Sequence, residues 1–173
     1  MNTENICIHY GDHCFRLDKW KSIKNDYFTK PKGGLWASQI DAKFGWKQWN
    51  EREHFAECNK ENSFIFSLSS DARILLIDNQ DILNTLGSDL CHQHGMVVFL
   101  DFEKLAKTYD AIDFRLSNDR RLYWSMCGWD CDSILVMHPW VIMPILGGID
   151  MSKSEDISCI VNSKGEIKTW KNT

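Results

Sequence analysis

The chain holds 173 residues, 43% of them hydrophobic and 25% charged, with a formal net charge of −4. That length and balance fit one globular domain spanning 1–173 with a real core. The densest cationic site is the pair Arg120-Arg121, too little to displace the counterions of duplex DNA, so a small molecule or a protein is favoured as substrate over a nucleic acid. Seven cysteines at irregular spacing give no disulfide framework. The opening Met1-Asn2-Thr3-Glu4 is polar, and the apolar run 134–146 is interrupted by His138, Pro139 and Pro144. The expectation is a cytoplasmic protein with reduced thiols and no membrane span. Eight Trp and nine Phe are the departure from average usage; such rings fill a core, and they also wall a cleft for a flat ligand.

In chain order, residues 6–10 alternate as a strand that ends at Gly11. Residues 12–29 read as loop with one short helix, 31–34 as a turn, and 35–38 as a short strand. Ser38 and Asp41 have capping-box spacing, and a charged helix is predicted over 44–58. Strands follow at 64–68 and 73–77. Asp78 is placed to cap a helix through about residue 90. Residues 91–95 read as loop and 97–100 as a strand or extended connector. Asp101 caps a helix over 102–107. Residues 110–114 return to strand, 116–123 form a polar connector, and 131–137 make a buried strand stopped by Pro139. The tail suggests a hairpin of 157–161 with 166–170 around Ser163-Lys164-Gly165. Many short strands with interspersed helices argue for an α+β fold. No Gly-x-Gly-x-x-Gly and no P-loop is present, so the usual phosphate cradles are missing.

Three motifs carry chemistry. His9-Tyr10-Gly11 ends the first strand, where a glycine lets a ligand approach the backbone. Lys32-Gly33-Gly34-Leu35-Trp36-Ala37-Ser38 combines a double-glycine turn, an indole plate and a hydroxyl, and is followed by Gly45-Trp46-Lys47-Gln48-Trp49. Trp129-Asp130-Cys131-Asp132-Ser133-Ile134 sets carboxylates at the mouth of an apolar strand, which is costly unless they are paired or used. Read singly, each has a plain structural account: an edge-strand histidine, a turn with core indoles, and an aspartate capping a strand.

Taken in order, these motifs resemble the ADP-ribosyltransferase superfamily, and more narrowly small phage and bacterial proteins with His-Tyr-Gly, Gly-Gly-Leu-Trp-x-Ser and Asp-Ser-Ile. The resemblance covers roughly residues 6–145. It implies a split, mostly antiparallel sheet with a few helices and NAD as the bound substrate. It implies mono-ADP-ribosyl transfer to a protein, or to a nucleic acid, by an effector acting on host defence. On this resemblance Asp132 steadies an oxocarbenium-like ribose, with Asp130 as the near alternative. His9 orients the dinucleotide and is counted with the catalytic pair. Tyr10, Gly11, Trp36 and Ser38 complete the NAD contacts. Most of the superfamily has Glu where this chain has Asp, a reach shorter by one methylene. The alternatives are NAD hydrolysis, an RNA phosphotransferase-like reaction, or a non-catalytic binding protein that retains the fold.

Other clusters rank below these. Cys91-His92-Gln93-His94 offers three soft ligands in four residues but no evident fourth, so no metal site is expected. Cys127 and Cys131 are separated by Gly128, His54 and Cys58 lie on the charged helix, and Asp12-His13-Cys14 sits in a loop.

Overall fold

The structure, a computed structural model, describes residues 6–26, 29–145, 160–161 and 167–168. In chain order the elements are β1 (Ile6–Tyr10), β2 (Leu35–Gln39), α1 (Trp46–Glu53), β3 (Ser63–Leu68), β4 (Ile74–Ile77), α2 (Gln80–Thr85), β5 (Cys91–His94) and β6 (Val97–Leu100). There follow α3 (Phe102–Thr108), β7 (Ala111–Phe114), α4 (Arg120–Ser125), β8 (Ser133–Val136), β9 (Ile142–Pro144), β10 (Ile160–Val161) and β11 (Ile167–Lys168). Short 3-10 turns occupy Leu17–Lys19, Leu116–Asn118 and Pro139–Val141.

The chain has an α+β fold. Seven strands form one mostly antiparallel sheet in the order β4-β7-β8-β2-β1-β3-β9, and β5 pairs with β6 beside it. β4 and β7 run parallel. Their connection passes through α2, the β5–β6 hairpin and α3, the long crossover that a parallel pair demands.

The sheet divides at β2. β8 pairs with the first part of β2, from Leu35↔Val136 to Ala37↔Ile134. β1 pairs with the last part, at Ile8↔Ser38 and Cys7↔Gln39. β2 therefore keeps one backbone neighbour at each end and loses the other, and this is the split in the sheet.

Strand alternation gives the sheet two faces. One buries Leu75, Ile77, Ile112, Phe114, Leu135 and Met137 against the helices and Trp129. The other buries Cys7, Ala37, Phe64, Phe66, Ala111, Ile134 and Val136. Asp110 ties the sheet edge: Arg73 reaches both its oxygens from Nε and Nη2, at 3.0 and 2.9 Å.

Several boundaries differ from the sequence reading. The first long helix covers Trp46–Glu53 only, because His54 takes a left-handed φ of 53°. Its start is secured by Gln48 Oε1, which accepts from the Gly45 N–H, and by Ser38 Oγ from the preceding strand. Asn79, not Asp78, caps α2, and the helix stops at Thr85 where Leu86 turns extended. Residues 91–94 are strand, turned into β6 through Gly95 at φ 62°. The polar stretch 116–123 contains a 3-10 turn and the start of α4, capped by Asp119. The Asp-Ser-Ile strand begins at Ser133. In residues 12–26 the structure has a 3-10 turn in place of the short helix. Of the tail hairpin, Ile160↔Lys168 and Val161↔Ile167 pair as expected, and its other residues lie outside the described ones. Among the described residues no helix is long and apolar enough to cross a membrane.

Candidate functional site

The two parted ends of β2 hold most of the chemistry. At the first, His9 and Tyr10 stand where the β1–β2 ladder has already stopped, opposite Ala37 and Trp36. The His9 ring bridges the gap: its Nδ1 lies 2.6 Å from the Trp36 carbonyl oxygen. A carbonyl only accepts, so Nδ1 carries the proton. Burial lowers the His9 pKa, while the Trp36 bond and Asp12 act the other way. The ring is then neutral at physiological pH and Nε2 has a free lone pair. Gly11 follows at φ 126°, and a Cβ there would sit 3.5 Å from Nε2. That is ordinary contact, and it is the positive φ that favours glycine here.

Tyr10, Trp36 and Ser38 fall on the opposite face from His9 by alternation. The Trp36 indole meets Trp129 at a centroid distance of 4.9 Å, and Lys30 Nζ lies 5.9 Å from its ring centre. Lys30 also pairs with Asp130 at 3.1 Å, both side chains partly exposed. Ser38 is buried and heavily used: Oγ donates to the Asp132 carbonyl at 3.0 Å and accepts from the Trp46 N–H at 2.8 Å. The hydroxyl thus joins β2 to α1 and to the entrance of β8. Burial, then Cys58 and Glu51, raise the Tyr10 phenol pKa.

At the other parted end the cleft is filled. Asp132 is 2% exposed. Its two oxygens accept from the Ser117 N–H at 2.7 Å and the Ser117 hydroxyl at 2.6 Å. Beside it, Asp113 accepts from Gln39 Nε2 at 3.0 Å and Arg115 Nε at 2.8 Å. Burial raises the Asp113 pKa against the pull of Arg115 and Gln39, and Asp132 adds to the rise. Cys7 Sγ faces Gln39 Oε1, and burial together with Asp113 pushes this thiol up to about 12. A thiol so far from ionisation is no nucleophile.

The predicted residues therefore divide. His9, Tyr10, Gly11 and Trp36 border the open end of the seam, the His9 side chain on one face of the sheet and those of Tyr10 and Trp36 on the other. Ser38 links the two ends, and Asp132 sits in the filled one. Asp130 is the more accessible of the two carboxylates. The sequence reading missed Gln39, Asp113, Arg115 and Ser117. A signal was present: Asp113 places a charge inside an otherwise apolar strand with Arg115 two residues on. In the proposed soft-ligand cluster, His92 stacks on Phe99 at 5.1 Å. Among the described residues no group of three or more His, Cys, Asp or Glu could hold a metal. No protein-family model, curated protein or solved structure matches the chain.

Proposed function

We propose that the chain is an NAD-consuming enzyme of the ADP-ribosyltransferase type, with the dinucleotide lodged where β1 and β2 part. The observation that carries this reading is the His9 imidazole, fixed through Nδ1 to Trp36 and left with an accepting Nε2 beside Gly11. A bare ring nitrogen suits a hydroxyl donor such as a ribose 2′- or 3′-OH, and suits an anionic phosphate poorly. Tyr10 and Trp36 supply rings beside the same parted strands, on the other face of the sheet from His9.

In this reaction the bond between ribose C1′ and the nicotinamide nitrogen breaks, and the electron pair leaves with neutral nicotinamide. No proton need be delivered to the leaving group. The protein must hold the ribose, stabilise positive charge at C1′, and admit a nucleophile that loses its proton on attack. His9 orients the ribose. For the charge, Asp132 is the residue the motif suggests, while its two hydrogen bonds from Ser117 favour Asp130 on grounds of access. The acceptor we favour is a protein, given the absence of a basic footprint in the sequence.

The saturation of Asp132 also supports a second reading, a nucleotide-binding protein without turnover. Incubation with NAD, followed by chromatography for free nicotinamide, separates the readings. Release only with cell lysate supports transfer, and release without lysate supports hydrolysis. Binding without release supports the second reading, and no binding at millimolar NAD rejects both.

A further inference from the structure

β4 ends the seven-stranded sheet, and among the described residues its one strand neighbour is β7. In a parallel ladder the N–H and C=O of a residue point to the same side, and successive residues alternate. The Arg73 carbonyl accepts from the Asp110 N–H at 2.7 Å, and the Ile77 carbonyl from the Arg115 N–H at 2.9 Å. Arg73, Leu75 and Ile77 therefore turn their backbone groups to β7, and Ile74 and Leu76 turn theirs outward. Among the described residues nothing bonds to those outward groups.

The side chains leave this edge open and apolar. Leu75 and Ile77 are buried on the helix side of the sheet. Ile74 packs partly buried on the other side. Leu76 shares the face of Ile74 by alternation and is 46% exposed. Free edges are ordinarily guarded by proline, lysine, an inward charge or a bulge. The strand at the opposite end of the sheet, β9, ends in Pro144, which has no N–H to offer. Ile74-Leu75-Leu76-Ile77 carries no such residue.

We propose that β4 is a self-association edge, which joins two copies of this chain by antiparallel β4–β4 pairing about a two-fold axis at Leu75. The strand is complementary to itself. With Leu75 opposite Leu75 of the second copy, Ile74 of each copy stands opposite Leu76 of the other. This register satisfies every outward N–H and C=O of both β4 strands. It also covers each exposed Leu76 with an isoleucine. Moving the axis to Leu76 would set Ile74 opposite Asp78, a poorer pairing. The antiparallel sense brings the Arg73 end of one strand to the Asp78 end of the other, and no like charges stand opposite. An interface of this kind is isologous and closes at two copies.

Sedimentation equilibrium and residue-resolved amide exchange test the proposal. Wild type should pass from monomer to dimer over the micromolar range, with the Ile74 and Leu76 amides gaining protection as the dimer forms. Leu76→Lys removes the apolar pair and sets a lysine on each side of the axis. It should weaken association about tenfold or more, with an unchanged circular dichroism spectrum. A wild type that stays monomeric overturns the proposal, as does a dimer equally tight in Leu76→Lys. Protection of both amides already in the monomer also overturns it, because other residues of the same chain would then cover the edge. If Leu76→Lys does not fold, wild type decides: a dimer with these two amides unprotected uses another surface and overturns the assignment.

Discussion

The two ends of β2 face the same topological problem and solve it differently. At each end one neighbouring strand has departed, leaving backbone and side chains beside a gap. Where β8 has left, the gap is closed from within: Gln39 and Arg115 donate to Asp113, and Ser117 donates twice to Asp132. Where β1 has left, one imidazole spans the opening and keeps a nitrogen free. The lesson is that buried polarity alone does not mark a site. Asp132 and His9 are both unusual residues for their surroundings, but only His9 has hydrogen-bonding capacity to spare.

If the filled end is a structural clamp, its removal should have the largest effect on stability. Asp132→Ala would remove two charge-assisted hydrogen bonds made by a buried carboxylate, and should destabilise the fold by about 2–4 kcal/mol in urea denaturation. Asp132→Asn sharpens the point. Asparagine can still accept from the Ser117 N–H, and its amide can donate to the hydroxyl once that rotor turns. It should cost under about 1 kcal/mol. A loss of turnover by about 10²-fold in this folded variant would instead restore Asp132 as the charge-stabilising residue.

The open end depends on the double-glycine turn that sets the start of β2. Gly34 has φ 68°, and a Cβ there would come within 2.7 Å of the Val136 carbonyl oxygen. Gly34→Ala should therefore destabilise by about 1–3 kcal/mol, read as a lower thermal midpoint. An unchanged midpoint would mean that β2 can shift without penalty, and would weaken the account of a fixed seam.

A smaller effect distinguishes the filled end by pH. The folded-state pKa of Asp113 is raised by burial, so the folded protein holds that proton more tightly than the unfolded chain. The associated stability is complete below the ordinary carboxyl value, about 3.9, and is lost as pH rises through the folded value. Asp113→Asn has no such proton to lose. As pH rises above about 4, wild type should fall in stability relative to the variant, as followed by urea midpoints. Parallel curves would show that Asp113 is not held protonated by its surroundings.

Much of this arrangement could be read in the sequence, because local signals dominate where the chain is regular. The alternation Ile6-Cys7-Ile8-His9-Tyr10 gave β1 its bounds, and the double glycine gave the start of β2. Local signals failed where a distant partner decides. Ser38 looked like a helix cap three residues before Asp41, yet it holds Trp46 eight residues on from within the strand. For Asp132 the local motif gave no sign of its partner Ser117, which lies 15 residues earlier in a stretch that read as connector. His54 ended α1 through a backbone angle that neither charge nor hydropathy signals. Asn50 resembled any polar helix residue, and only its burial separates it from Glu51 and Arg52.

The central claim is that the open end, and not the filled one, receives the dinucleotide. Calorimetric titration of NAD into wild type, His9→Ala and Asp132→Asn tests it directly, with circular dichroism confirming that each protein is folded. The account predicts saturable binding to wild type, affinity about tenfold or more weaker for His9→Ala through loss of a partly buried hydrogen-bond acceptor, and little change for Asp132→Asn. Equal affinity in wild type and His9→Ala, or no binding to any of the three, would contradict it.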